Sequence, residues 1–267
     1  MGEIRSTIEQ DGVLLLRLVN GSANALTSAM AEQLIAILAG IPAGIGAVLV
    51  TGTAGGTFCA GSDIRELARL QDTPEGPASM LRVESRALRA LAGLPIPTIA
   101  AIDGIAFGGG MELAAACDIV IAGQKARFCL PEVRLGVFPG IGGTVWIPRR
   151  IGYVRALEMM LTGQEIDAAT AHRWNFVNRL ATSIPAEDEA LDLARSFARG
   201  PRDAVAMIKQ SLRDGLLLAE DEALDAALDH AIALGHSPES REGLRAFLAR
   251  EAPDFASVRP RPAGGVI

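Results

Sequence analysis

Two glutamates and two glycine-rich turns are the residues of this chain whose types and spacing could do chemistry. Thr98 to Ile102 is β-like, and it leads through Asp103-Gly104-Ile105-Ala106-Phe107-Gly108-Gly109-Gly110-Met111-Glu112 into Leu113 to Asp118, a small-residue stretch with the composition of a buried helix. A helix start offers unpaired backbone N–H groups and the positive end of a dipole, and glycine lets a ligand oxygen approach without meeting a Cβ. The stretch therefore describes an anion site with a carboxylate, Glu112, in the first helical turn. Taken alone, Glu112 serves equally well as a complement to the helix dipole. The second glutamate, Glu132, follows Pro131 within Phe128 to Gly136, a locally apolar setting. Partial desolvation there would raise its pKa, which suits a proton donor, although a surface pair with Arg134 accounts for it as well.

The second turn is Thr51-Gly52-Thr53-Ala54-Gly55-Gly56-Thr57-Phe58-Cys59-Ala60-Gly61-Ser62-Asp63-Ile64, a long loop after a strand, meeting a helix expected from Asp63 to Leu70. Gly61-Ser62 and Gly109-Gly110 could thus supply two converging amides. Two amides aimed at one oxygen make an oxyanion hole, and losing one such donor costs about a hundredfold to a thousandfold in rate. With Glu112 and Glu132 flanking the same cavity, the set becomes two amides for an enolate oxygen and two carboxylates for proton transfer. The chain has no Gly-x-Ser-x-Gly elbow, and His172, His230 and His236 lack zinc-motif spacing, so nucleophilic hydrolysis and metal catalysis lose ground and no metal site is expected. Pro139 to Thr144 matches neither a Walker A loop nor a dinucleotide fingerprint and reads as a turn into a helix.

The elements that must position these groups follow from pattern. Ile4 to Glu9 and Val13 to Leu18 read as strands joined by an Asp-Gly turn at residues 10–12. Ser28 to Leu38 has helical spacing, Ala47 to Thr51 is a strand, and a helix is expected from Ala78 to Leu94, where Pro95 and Pro97 end it. Arg82, Arg86 and Arg89 recur along that helix as a solvated basic face. Asp118 to Ala122 is another strand. From Tyr153 onward the pattern turns helical and stays so, over residues 154–161, 168–174, 186–198, 202–218, 220–234 and 238–249. Strands before about residue 150 and helices after it predict an α/β core with a helical C-terminal region.

Composition narrows the setting. The 267 residues are 49% hydrophobic and 21% charged, enough for one large core. A net charge of −6 gives no general reason to bind nucleic acid or an anionic membrane. Cys59, Cys117 and Cys129 make no metal-type pair or disulfide framework, so a reducing cytoplasm and a role as apolar fillers are expected. No secretion signal or membrane span is read in the chain.

With these residues in view, the chain resembles the crotonase family, the enoyl-CoA hydratase/isomerase superfamily, over about residues 4–255. The resemblance is carried by Thr57 to Ile64, by Ile99 to Gly104 with Gly108-Gly109-Gly110-Met111-Glu112-Leu113, and by Pro131 to Gly136. Pro139 to Thr144, Leu161-Thr162-Gly163 and Glu242-Gly243 with Ala246-Phe247-Leu248 add to it. It implies an α/β fold of repeated ββα units over residues 1–195, a helical trimerisation region over 196–258 and a loose tail over 259–267, assembled as homotrimers or hexamers. It places the oxyanion amides on Ser62 and Gly109 and the catalytic acids on Glu112 and Glu132. It also implies that Ala60, Asp63, Ile64 and Arg65 bind the adenine and phosphates of coenzyme A, with Lys209, Phe247 and Arg250 as weaker contributors. No permanent cofactor is implied, because coenzyme A arrives on the acyl-CoA substrate.

Retention of both acids favours hydration of a trans-2-enoyl-CoA. A double-bond isomerase, or another acyl-CoA reaction through the same enolate, stays open. So do an RNA-binding role for the Arg82, Arg86 and Arg89 strip and a catalytically silent scaffold. Departures from the family pattern bear on the acyl group: the N-terminal segment keeps only Asn24-Ala25-Leu26 of the usual opening, Val145-Trp146 stands where hydratases commonly have Gln-Arg, and Phe107 and Met111 lie near the expected acyl path.

Overall fold

The computed structural model describes residues 2–9, 11–54, 56–182 and 185–259. Gln10 of the expected hairpin turn, Gly55 of the long loop and all of the expected loose tail except Arg259 lie outside them. Arg259 itself is anchored, its Nε 3.1 Å from Glu239 Oε1.

The hairpin forms as expected, with β1 (Glu3–Glu9) antiparallel to β2 (Val13–Val19). From there β3 (Ala47–Thr51), β4 (Thr98–Ile102) and β6 (Ile119–Ala122) add in parallel. Residues of β3 and β4 are buried throughout, as befits parallel strands covered on both faces. Alternation sorts their side chains. Leu14, Leu16, Val48, Val50, Ala100 and Ile102 face one core, which includes helices α1 (Ser28–Ala39) and α3 (Ala78–Gly93). Val13, Leu15, Leu49, Ile99 and Ile121 face the other, closed by α8 (Ala186–Arg199). Ala186, Ala190, Ala194 and Ala198 recur every fourth residue on α8, so a methyl stripe lets the helix lie close on the sheet.

A second layer was not legible from the chain. Residues 105–107 and 127–129, read as turn and loop, form β5 (Ile105–Phe107) and β7 (Arg127–Cys129), which pair in parallel, while β8 (Ile166–Asp167) pairs antiparallel to β7. Isolated bridges Leu26 to Ser62 and Cys59 to Ala106 continue the ladder. Each turn of the chain therefore runs from a large-sheet strand to a short second-layer segment and then to a helix. Examples are β4, β5, then α4 (Gly109–Ala116), and β3, Cys59, then α2 (Ile64–Leu70). This is the repeated ββα plan. Helix starts consequently line up along the second layer, and two of them are the glycine turns.

After residue 153 the pattern is not wholly helical. β8 and β9 (Arg179–Leu180) interrupt it, and β9 extends the large sheet beside β6. Two-residue strands leave no alternation to read. The helices fall within about two residues of expectation: α6 (Tyr153–Thr162), α7 (Ala168–Arg173), α9 (Arg202–Leu217), α10 (Glu220–Gly235) and α11 (Pro238–Ala249). Helix α8 runs unbroken through residue 195 and belongs to the sheet packing, whereas α9 packs mainly against α10. Cys59, Cys117 and Cys129 are buried free thiols, their pKa values pushed up chiefly by burial. Among the described residues no helix is long and apolar enough to cross a membrane.

Candidate active site

Glycine at 108 is required by its backbone, since φ there is +50°, a conformation that a side chain disfavours. This turn brings β5 into α4, whose first helical bond runs from Glu112 N–H to Gly108 O. The Gly109 N–H precedes that bond and is one of the helix's orphan donors. The other turn uses Gly61 at φ +110°, and a Cβ there would lie 3.4 Å from Gly109 N. Ala60 N–H donates to Ala23 O and Asp63 N–H to Leu26 O, while among the described residues Ser62 N–H between them meets no acceptor. A methyl group placed on Gly109 would stand 3.3 Å from Ser62 N and 3.1 Å from Ser62 Oγ. The two turns are thus pressed together, and among the described residues neither the Ser62 nor the Gly109 amide has an acceptor.

Both expected acids stand beside them. Glu112 is 2% exposed, and its Oε1 accepts from Gly143 N–H at 2.6 Å and Ile141 N–H at 3.0 Å. Burial pushes its pKa up to about 7 against the pull of the Gly143 amide, and the Glu132 charge adds to the rise. Glu132 opens a 3-10 helix (Glu132–Leu135) after Pro131. Its Oε1 would be 3.1 Å from a Cβ on Gly108, and its Oε2 is buried with no hydrogen-bond partner. Burial raises its pKa as well. No Glu132–Arg134 ion pair forms among the described residues; Arg134 packs instead at Gly163. Glycine at 143, which starts α5 (Gly143–Ile151), leaves the space that Glu112 fills: a Cβ there would be 3.0 Å from Glu112 Oε1.

The remaining expected residues divide by place. Ala60 and Asp63 flank the Ser62 amide, and Asp63 Oδ1 caps α2 by accepting from Arg65 N–H at 2.8 Å and Glu66 N–H at 3.1 Å. Ile64 and Arg65 are exposed on the first turn of α2. Lys209 is not brought to the acids. Its Nζ donates to Ile96 O at 2.8 Å and to Asp118, in a cleft between α9 and the core. Phe247 and Arg250 lie exposed at the end of α11, Arg250 as its left-handed cap. Met111 is buried, Phe107 half-buried, and Arg82, Arg86 and Arg89 are exposed.

One acid was overlooked. Glu84 sits on the apolar face of α3 among Met80, Val83, Ala87, Leu88 and Leu91, and its side chain reaches Ser62 Oγ at 2.8 Å. A carboxylate at helical spacing within an apolar stripe is the sequence signal that could have found it.

Chemically, the site can hold a developing oxyanion on two amides and move protons through two carboxyls, both of whose pKa values burial raises, that of Glu112 to about 7. Comparison with known proteins identifies the family. The family model of enoyl-CoA hydratase/isomerase matches residues 8–258. The chain is 38% identical over 213 residues to 1,2-epoxyphenylacetyl-CoA isomerase of Escherichia coli, covering 78% of this chain and 80% of that one. It is 36% identical over 249 residues to 2,3-dehydroadipyl-CoA hydratase of the same organism, covering 92% and 96%. The crystal structure of an enoyl-CoA hydratase from Bacillus anthracis superposes with a TM-score of 0.89 at 32% identity, covering 94% and 99%. The fold is that of crotonase-type proteins, and the chain belongs to the enoyl-CoA hydratase/isomerase family.

Proposed function

We propose that the protein is an enoyl-CoA hydratase that adds water reversibly and syn to a trans-2-enoyl-CoA, giving a 3-hydroxyacyl-CoA. The observation that carries this reading is the pair of acids, buried Glu112 and half-buried Glu132, whose charge helps raise the Glu112 pKa, beside the amides of Ser62 and Gly109. One glutamate takes a proton from water as the water oxygen bonds to Cβ. The Cα–Cβ π electrons move to the thioester, whose enolate oxygen is held by the Ser62 and Gly109 N–H groups. The other glutamate then protonates Cα, so H and OH add from one side. Ala60, Asp63, Ile64 and exposed Arg65 form the mouth for coenzyme A, with Phe247 and Arg250 as outer contacts. No resident cofactor takes part, because coenzyme A is carried by the substrate.

Exposed Ile208, Leu212 and Leu216 on α9, and Leu224, Leu228 and Ile232 on α10, recur every fourth residue. Such stripes support a homotrimer or a hexamer built from two. The buried free cysteines support a reducing, cytoplasmic setting.

Hydration of crotonyl-CoA, followed by loss of its conjugated-thioester absorbance, tests the reading. Glu112→Gln and Glu132→Gln are each expected to lose about 10² or more in kcat; unchanged turnover in both overturns it. A second reading, double-bond isomerisation or another acyl-CoA reaction through the same enolate, has the support that one similar protein is an acyl-CoA isomerase, of an epoxide. Products formed separately from 3-enoyl-CoA and 2-enoyl-CoA distinguish the two.

A further inference from the structure

A third buried acid touches the oxyanion loop. Glu84 is 0% exposed, deeper than Glu112, and it lies on α3 rather than on either helix that starts at the site. Its Oε2 is 2.8 Å from Ser62 Oγ, and its Oε1 is buried with no partner. Ser62 Oγ is in turn the nearest atom to the space above Gly109, 3.1 Å from where a Cβ would be. Glu84, Ser62 and Gly109 therefore form one stack, with the two free amides at its top.

We propose that Glu84 is a positioning residue of the oxyanion hole, acting as the neutral acid through its hydrogen bond to Ser62 Oγ to hold the Ser62 amide against Gly109. The inference rests on the enolate reading of the site. Backbone bonds of Ala60 N–H to Ala23 O and Asp63 N–H to Leu26 O hold the loop on either side of Ser62, and among the described residues Glu84 is the side-chain partner that fixes Ser62 itself between them. The neutral state follows from the surroundings. A carboxylate with one oxygen unpaired in the interior is costly, and the charged groups that act on Glu84 are other acids, Glu112 of α4 and Glu66 of α2. Cys59, buried nearby, has its own pKa raised to about 12, and so stays a neutral thiol. Burial first, then Glu112 and Glu66, lift the Glu84 pKa to about 8, against the pull of the Ser62 hydroxyl. A proton on Glu84 also matters to the reaction. An ionised Glu84 would set a negative charge beneath the two amides that must hold the enolate, so the site loses its electrostatic advantage as that proton leaves.

Acetoacetyl-CoA is the probe, since its β-keto thioester enolises and the bound enolate is read by its ultraviolet band without turnover. Binding by wild type is referred at each pH to the Glu84→Gln protein, which cancels enolisation of the free probe. Relative enolate affinity of the wild type is expected to fall as pH rises through about 8, where Glu84 ionises and glutamine does not. At neutral pH, Glu84→Ala and Ser62→Ala are each expected to lose about tenfold, a fraction of what losing an oxyanion donor costs, because the amide remains but is poorly aimed. Wild-type and Glu84→Gln profiles that superpose, truncated variants that bind the enolate as tightly as wild type, or a wild type that binds no enolate would each overturn the proposal. Enolate binding that follows this pattern without hydration of crotonyl-CoA would leave the Glu84 role standing and remove the hydratase reading; hydration with superposed profiles would do the reverse.

Discussion

The Gly143 N–H donates to Glu112 Oε1 at 2.6 Å, and the absence of a Cβ on Gly143 is what allows the carboxylate to sit there. A methyl group at 143 would lie 3.0 Å from that oxygen and 2.8 Å from Pro139 Cβ, so either the acid or the α5 start must shift. Gly143→Ala should therefore lower kcat by about tenfold to a hundredfold with little change in KM, since misplacing a group by about 1 Å costs on that scale. Steady-state kinetics on crotonyl-CoA measure both constants, and an unaltered kcat would show that the amide contact is dispensable.

The two acids should titrate as a pair. Glu112, raised to about 7 by burial, takes up a proton as pH falls through that value, and with both acids protonated no base is left. With both ionised, no acid is left to protonate Cα. The profile of kcat/KM against pH is expected to be a bell, and each single glutamine variant should show a residual activity from which one limb is missing. Two intact limbs in both variants would assign the limbs to other groups.

Glu84 makes stability depend on pH in a defined direction. Its pKa lies at about 8 in the folded chain against 4.5 for the ordinary group, so between those values the folded state binds the extra proton. Stability is then expected to fall as pH rises through this window and to level off above about 8. At about 1.4 kcal/mol per pKa unit, the full shift corresponds to about 4 to 5 kcal/mol, an upper figure because the buried site can relax. Denaturant melts should show Glu84→Gln gaining on the wild type as pH rises. A wild-type curve parallel to that of the variant would mean that Glu84 is ionised at neutral pH.

Lys209 should behave as a structural cation. It ties α9 to Asp118, and Asp118 Oδ2 also accepts from Thr98 N–H at 2.8 Å at the start of β4. Lys209→Met is expected to cost about 1 to 3 kcal/mol in thermal or denaturant unfolding, as for a half-buried hydrogen-bonded charge. KM for crotonyl-CoA should move less than about threefold, because Lys209 lies away from the proposed coenzyme A site at Ala60 to Arg65. A tenfold rise in KM with unchanged stability would instead put Lys209 on coenzyme A.

Much of this was legible in the chain, and the exceptions have physical causes. Helix α3 is readable because burial of one face dictates its residue types, and the β1–β2 hairpin because the Asp11-Gly12 turn between two β-type runs needs the positive φ of Gly12. The turn at Gly108–Gly110 was readable because a free helix start beside a close backbone approach needs glycine. β5, β7 and β9 were not, since strands of two or three residues show no alternation and depend on partners far along the chain. Glu84 shows in the sequence only as a carboxylate within the apolar stripe of α3, and its bond to Ser62 depends on how that helix packs. The place of Lys209 likewise depends on how α9 docks, which helical periodicity does not determine.

Glu112, Glu132 and the two amides are proposed to add water across an enoyl thioester. The most direct measurement is mass analysis of the product formed from crotonyl-CoA in ¹⁸O-labelled water. The expected product is 3-hydroxybutyryl-CoA carrying ¹⁸O at the 3-hydroxyl, with formation reduced by about 10² or more in Glu112→Gln and Glu132→Gln. Recovery of unhydrated enoyl-CoA with a migrated double bond and no ¹⁸O, or labelled product formed at the wild-type rate by both variants, would contradict it.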